Sequence, residues 1–322
     1  RKIRCAVVGL GRIASTLETD SLREKPCSHT GAIVEHPDCL LVGGCDIDAE
    51  ARERYAADWR VDVYEDIDAL LHETGPDILV VATYPESHRR LTETAVRAGT
   101  PVVICEKPLA RSLRDGRAIA SLHRSGRAKI LVNHERRYSL DYRNARSIVE
   151  RGSYGELLSV RGTLCFGSTA PRREVLLHDG THLLDVINFL TGGRLRLNRR
   201  YGSMRGAENS AFLFGRSRVS GAGGGIGRNG AEGGGQGTGS IPVAIEVGSQ
   251  RDHLVFESPH YEGYRSLLPD KEAPPRPEKT GYFSGMVADA VRCVREPAHM
   301  PLSSAEDALE VMKFIRSVKA WY

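Results

Sequence analysis

Long apolar runs are missing from this 322-residue chain. None reaches the ~18–20 consecutive residues that a bilayer-spanning helix needs, so no membrane association is expected. The first residues enter a strand pattern directly, without the apolar core and cleavage site of a secretory leader. Cysteine pattern is missing too. The seven cysteines (Cys5, Cys27, Cys39, Cys45, Cys105, Cys165 and Cys293) are odd in number, and no Cys-x-x-Cys occurs. Several lie in strand-like apolar runs, where cysteine behaves as a small buried hydrophobe. This argues against a disulfide framework or a zinc site, and for a reducing, cytoplasmic location. Charge of one sign is scarce: the net charge is +4 and arginine is spread along the chain, so a nucleic-acid partner is not expected. No internal repeat is present. What remains is ordinary for a globular protein, 40% hydrophobic and 27% charged, with length enough for two domains.

The N-terminus carries the first positive signal. The apolar run Ile3–Val8 stops at Gly9-Leu10-Gly11-Arg12-Ile13-Ala14, a Gly-x-Gly-x-x-Ala turn followed by helix-compatible residues. Such a turn holds a dinucleotide pyrophosphate. Gly9 allows the tight bend, Gly11 lets the backbone approach the phosphates, and Ala14 lets the helix pack on the strand. The N–H groups at the helix start then face the anion. Cys39–Cys45 reads as the next strand, with Asp46 at its end. An acidic residue there accepts hydrogen bonds from the adenosine ribose hydroxyls and repels a 2′-phosphate, which favours NAD over NADP. Asp46 follows Ala14 by 32 residues (46 − 14), against a usual ~20, so Glu18–Thr30 reads as a polar insertion. Within it, residues 24–30 lie just beyond the turn and could reach the cofactor cleft, although a polar surface loop is the favoured reading.

Strand and helix signals alternate over the first ~130 residues, as in a doubly wound parallel sheet covered on both faces. Helices are expected at Ala51–Asp58, Ile67–Glu73, Ser87–Ala98 and Leu113–Ser125. Strands are expected at 62–64, Asp77–Thr83, Pro101–Cys105 and Lys129–Val132. A Rossmann domain is therefore assigned to residues 1–127, and an α+β domain with an open, largely antiparallel sheet to 128–322. In the latter, helices are expected at Tyr142–Arg151, Val175–Leu190, Phe283–Arg295 and Ser304–Trp321. Its strands are expected at Leu157–Phe166, Leu195–Ser203, Ala211–Phe214, Val243–Val247 and His253–Glu257. Ser220–Ser240, with glycine at eleven of 21 positions, reads as a flexible loop.

Two groups carry candidate chemistry. Glu106-Lys107-Pro108 follows a buried strand at the edge where open α/β sheets bind ligands. A lysine there can donate to a substrate oxygen and stabilise negative charge as it develops. In His178-Asp179-Gly180-Thr181-His182, helical spacing sets His182 beside His178 or Asp179, so an imidazole can have an orienting partner for acid/base work. No third ligand lies nearby, and no metal is expected. Arg194, Arg196, Arg199, Arg200 and Arg205 could grip a phosphate or carboxylate on the substrate, although a solvated or oligomer-facing strand edge is the favoured reading.

Taken together, the chain resembles the Gfo/Idh/MocA family, the glucose–fructose oxidoreductase and inositol dehydrogenase group. The resemblance rests on the Gly9–Ala14 turn, His88, Glu106-Lys107-Pro108, Asn133-His134-Glu135-Arg136-Arg137-Tyr138 and Gly180-Thr181-His182-Leu183-Leu184-Asp185. It implies an NAD-dependent oxidoreductase acting on a sugar- or cyclitol-like alcohol or ketone. Lys107 is then the catalytic lysine and His182 the proton donor or acceptor. Glu106, Pro108, Thr83 and His88 line the cofactor cleft, and Asn133, His134 and Arg137 lie near the substrate. For His134 and Arg137, structural pairing is an equal alternative. The family usually has Asp where this chain has His178, so His178 or Asp179 takes the orienting role. A homodimer or homotetramer is implied. Other relatives cleave glycosides through transient oxidation by tightly held NAD, or sense a dinucleotide without catalysis. The presence of both Lys107 and His182 weighs against the sensor.

Overall fold

The computed structural model describes residues 1–152, 157, 159–165, 172–201, 211–219, 239–248 and 279–319. The chain divides into two compact units, residues 1–140 with 279–313, and residues 141–278 with 314–322.

The first unit is built on six parallel strands: β1 (Ile3–Val8), β2 (Cys39–Cys45), β3 (Val63–Tyr64), β4 (Ile78–Val81), β5 (Val102–Cys105) and β6 (Lys129–Val132). Their spatial order is β3-β2-β1-β4-β5-β6. Helices α1 (His29–Glu35), α2 (Ala49–Trp59), α3 (Ile67–Thr74), α4 (Pro85–Arg97) and α5 (Leu113–Arg124) connect them. Because strand side chains alternate, the continuous apolar runs feed two cores. Cys5, Val7, Val80 and Ile104 pack with Ile33 of α1 and Tyr55 of α2. Ala6, Val8, Leu79, Val81 and Val103 pack with Leu70 of α3, Leu91 of α4 and Ile119 of α5. The order reverses between β1 and β4, so a crevice is expected beyond their carboxyl ends.

The second unit contains α6 (Leu140–Arg151, its first residue in the first unit), α7 (Arg172–His178) and α8 (Gly180–Thr191). Its sheet comprises β7 (Val160–Cys165), β8 (Leu195–Tyr201), β9 (Ala211–Val219) and β10 (Gly239–Gly248), ordered β7-β10-β9-β8. The β10/β9 and β9/β8 pairs are antiparallel, and β10/β7 is parallel. The Arg146 guanidinium of α6 lies 4.6 Å from the Phe189 ring centroid of α8. Two further helices, α9 (Tyr282–Arg295) and α10 (Ala305–Lys319), end the described chain. Ser304 and Asp307 cap α10 reciprocally, as their spacing predicts.

Five expectations need correction. The division at residue 127 moves to residue 140, because β6 is the sixth strand of the parallel sheet. Met286 and Val287 of α9 also return to its core. The helix expected straight after Ala14 is interrupted by a 3-10 turn, Thr16–Thr19, and α1 begins only at His29. Residues 27–30 are buried rather than a surface loop: Ser28 caps α1 through Gly31 N–H, and His29 points inward. The single helix expected over Val175–Leu190 breaks at Asp179, beside Gly180, a poor helix former. Strands β9 and β10 run longer than expected. The expected strand His253–Glu257, Arg205 and most of the glycine-rich segment lie outside the described residues, but Gly239 and Ser240 belong to β10.

The six described cysteines whose state is defined are free and buried. The chain after β6 is tied down by Asp289 of α9. Its carboxylate accepts from Tyr138 Oη at 3.0 Å, Leu302 N–H at 2.8 Å and His299 Nε2 at 2.6 Å. Asp289→Ala leaves the buried Tyr138 hydroxyl and the Leu302 N–H without this acceptor. It should destabilise the protein by about 2–4 kcal/mol in urea unfolding, and an unchanged midpoint would contradict this role.

Candidate functional site

The site starts at the Gly9 turn. Gly9 has φ of +87°, and a Cβ there would lie 2.6 Å from the Ala82 carbonyl oxygen and 2.8 Å from Thr83 Cγ2. Only glycine fits, and the close approach joins the ends of β1 and β4 at the switch point. A Cβ on Gly11 would meet nothing within 4 Å, so its backbone borders open space. Gly11 and Arg12 are exposed, Ile13 is half-buried and Ala14 is buried. Asp46, beyond β2, accepts the Leu10 N–H at 2.7 Å, so its carboxylate stands beside the turn. A tight glycine turn, open backbone and an acidic neighbour together fit a dinucleotide. Ile47 and Tyr84 also stand 86% and 83% exposed just beyond β2 and β4, as apolar surface that a flat base can cover. Sequence reasoning missed both, since an exposed apolar residue is legible only in three dimensions.

The helical path of the turn resumes after a detour. His29 N–H donates to Ile13 O at 3.1 Å, and Thr30 N–H to Ala14 O at 2.9 Å, so α1 continues where Ala14 leaves off. Glu18 closes the detour by accepting from Ser28 Oγ at 2.6 Å and Cys27 N–H at 3.2 Å. Glu24 accepts from the N–H groups of Thr280 and Gly281, both at 2.9 Å, at the start of α9.

At the end of β5, Glu106 is buried. Oε1 accepts from His29 Nε2 at 2.7 Å and from the Asn133 amide, and Oε2 accepts the Lys107 N–H at 3.1 Å. Burial works to raise the Glu106 pKa. The bonds from His29 and Asn133 and the Lys107 charge outweigh it and hold the carboxyl below the usual glutamate value. Lys107 and Pro108 are half-buried. Glu135, which opens a 3-10 turn (Glu135–Tyr138) after β6, shows the opposite shift: burial of its carboxyl and the Glu106 charge raise it. His29 belongs to the segment for which the sequence favours a surface loop over the cleft.

The other expected positions divide. Asn133 joins the Glu106 network, and His134 is buried beside it in the chain. Arg137 Nη1 donates to Leu302 O at 2.8 Å and pairs with Asp307 at 3.2 Å, which is the structural pairing weighed for it. His182 is buried in the first turn of α8, with its N–H on Asp179 O at 3.1 Å, whereas His178 is exposed at the end of α7. The break at Asp179 puts the two histidines on different helices, His178 ending α7 and His182 in the first turn of α8. Asp179 makes no side-chain capping bond. Arg194, Arg196 and Arg199 are exposed, the last two on edge strand β8. Among the described residues, the one cluster with metal-ligand spacing is Asp289, Cys293 and His299, and its carboxylate is the structural hub of α9.

Thr83 bonds Ser87 Oγ at 2.7 Å. His88 is buried, with three backbone carbonyls around its ring. Its Nε2 faces Thr83 O at 3.0 Å, and Nδ1 faces Pro108 O at 3.2 Å and Leu109 O at 3.3 Å. Carbonyls only accept, so both nitrogens carry hydrogen and the ring is an imidazolium. Burial opposes the cation, but Cys105, the Thr83 carbonyl and the Glu106 charge prevail and raise it to about 9. A folded value above the unfolded ~6.5 stabilises fully below pH ~6.5, and the stabilisation is lost as pH rises through about 9. Thermal midpoints should therefore fall between pH 7 and 9.5 by more in the wild type than in His88→Gln, measured by scanning fluorimetry. Parallel curves would contradict the imidazolium.

Residues 3–134 match a family described as the oxidoreductase family with an NAD-binding Rossmann fold. The chain is 28% identical over 200 residues to inositol 2-dehydrogenase of Corynebacterium glutamicum, covering 61% of this chain and 56% of that protein. It is 30% identical over 146 residues to D-apiose dehydrogenase of Rhizobium rhizogenes, 42% of each. It thus spans about half the length of these relatives. Its fold is that of the Bordetella pertussis WlbA dehydrogenase solved with NADH and UDP-GlcNAcA (TM-score 0.69, 19% identity, 100% and 98% covered). It is also that of myo-inositol 2-dehydrogenase from Lactobacillus plantarum (TM-score 0.69, 17% identity, 99% and 97% covered). With the switch-point turn and the Glu106-Lys107-Pro108 edge in place, residues 3–134 are the NAD-binding Rossmann domain of the Gfo/Idh/MocA oxidoreductase family.

Proposed function

We propose that this chain is an NAD-dependent dehydrogenase acting on a hydroxyl or ketone of a cyclitol- or sugar-like substrate. The observation that carries the reading is the position of Lys107, which follows a buried carboxylate at the end of β5, next to the strand whose end meets the Gly9 turn. The Gly9–Ala14 backbone binds the pyrophosphate, and Asp46 meets the ribose hydroxyls. NAD, when bound, supplies the hydride acceptor.

Lys107 donates to the substrate oxygen, orients it and stabilises its alkoxide character. Asn133 and His134, at the end of β6, are assigned to the substrate side of the same edge. His182 of the second unit is assigned as the base that takes the hydroxyl proton, with Asp179 or His178 orienting it. The relatives named for inositol and apiose support a polyhydroxylated substrate. No described helix is long and apolar enough to cross a membrane. A cytoplasmic homodimer or homotetramer is part of the proposal.

The test is NADH formation by the purified chain with NAD and a panel of cyclitols, sugars, sugar acids and nucleotide sugars. Activity on at least one polyol is expected. Lys107→Ala should lower kcat by about 100- to 1,000-fold while leaving NAD affinity within about threefold. A variant with wild-type turnover would contradict the role of Lys107, and silence of the whole panel with NAD still bound would contradict the dehydrogenase.

A further inference from the structure

We propose that His29 is a positioning residue of the active-site edge: it holds Glu106 in place as a carboxylate, and Glu106 in turn fixes the backbone of Lys107. The kinetic arm of this inference rests on the dehydrogenase reading, whereas its stability arm does not.

The detour after Ala14 delivers His29 to the site. Because α1 resumes at Ile13 and Ala14 through the N–H groups of His29 and Thr30, His29 occupies the first turn beyond the glycine motif. Ser28 and Glu18 fix that helix start, and a side chain on Gly31 would displace the Glu18 carboxylate. The imidazole is 0% exposed. The Phe283 ring meets it edge-on at a centroid distance of 5.2 Å. A site built only for packing would favour an apolar ring, because an imidazole carries two polar atoms into the core.

Here Nε2 has one use, the 2.7 Å bond to Glu106 Oε1, and Nδ1 meets no hydrogen-bond partner among the described residues. The carboxylate only accepts, so Nε2 carries the hydrogen. A buried carboxylate is costly unless such donors surround it. Glu106 has three: His29 from α1, the Asn133 amide and the Lys107 N–H. The titratable groups that face it are His29, Lys107, His88 from α4 and Glu135 from the 3-10 turn after β6. Without the His29 donor, Glu106 is left with Asn133 on Oε1 and a nearby carboxyl at Glu135. It then becomes easier to protonate, and its hold on Lys107 loosens.

The test compares His29→Phe, which keeps a ring and removes the donor, with His29→Gln, whose amide can still donate. Only the glutamine can donate to Glu106, and because packing differences between the two do not titrate, the pH-dependent part of their difference reports the donor. Glu106 has a folded pKa below its ordinary 4.5, so its stabilisation is present above pH 4.5 and lost as pH falls through the folded value. H29F should therefore unfold at a lower temperature than H29Q near pH 7, and the gap should narrow as pH falls below 4.5. With the substrate found in the panel, H29F should lower kcat by about 10- to 100-fold and move the acid limb of its pH profile upward, with H29Q recovering most of both. A pH-independent stability gap, an unmoved limb, or H29Q no better than H29F would overturn the proposal. Should H29F alone not fold, the H29F/E106Q double variant decides, because a neutral Glu106 position no longer needs the donor. Folding of the double variant supports the proposal, and its failure overturns it. If the wild type oxidises nothing, the dehydrogenase reading fails while the stability comparison still judges His29.

Discussion

A carboxylate withdrawn from water, Glu106, sets the terms for the carboxyl edge of the parallel sheet in the first unit. Removing one partner of such a charge costs about 3–5 kcal/mol, so its donors must be held as firmly as the group itself. They come from three places: α1 supplies His29, the end of β6 supplies Asn133, and the chain after β5 supplies the Lys107 N–H. Each donor constrains a different stretch. His29 requires that the detour after Ala14 close on itself, which Glu18 and Glu24 achieve. Asn133 requires β6 to stand beside β5 in parallel register. The Lys107 N–H bond fixes the backbone of the lysine. A second charge lies close by, the His88 imidazolium joining the chain after β4 to the chain after β5 through carbonyls.

This arrangement follows from a parallel sheet whose order reverses between β1 and β4. The reversal opens a crevice, Gly9 lets the two strand ends approach, and Asp46 holds the turn through Leu10 N–H. The burial that makes the strands read as unbroken apolar runs also strips water from Glu106 and His88. Their bonds to the fold are correspondingly strong, and their protonation states are set by neighbours instead of bulk solvent.

Much of this was legible along the chain. The six strands of the first unit appear as short apolar runs because both faces of the sheet are covered, and glycines mark several helix ends. Gly9, Asp46 and Lys107 were legible because each stands at the carboxyl end of a recognisable strand. His29 was legible only as part of a segment able to reach the cleft, and not as a partner of Glu106, because its relation to Ala14 is spatial: the residues from Ser15 to Ser28 separate two positions that the backbone bonds of α1 bring together. The unit boundary was missed for a similar reason, since α9 returns to a core more than a hundred residues earlier in sequence. The single helix expected over Val175–Leu190 was also misread, since the chain breaks at Asp179 beside Gly180, with His178 exposed before the break and His182 buried after it.

The most direct measurement is a calorimetric titration of the purified chain with NAD and NADP, for the wild type and for Asp46→Asn. The amide keeps an acceptor for the Leu10 N–H and removes the negative charge. The account predicts saturable binding of NAD at one site per chain, much weaker binding of NADP, and a smaller difference between the two in the variant. No binding of NAD, or equal affinities of the wild type for both dinucleotides, would contradict it.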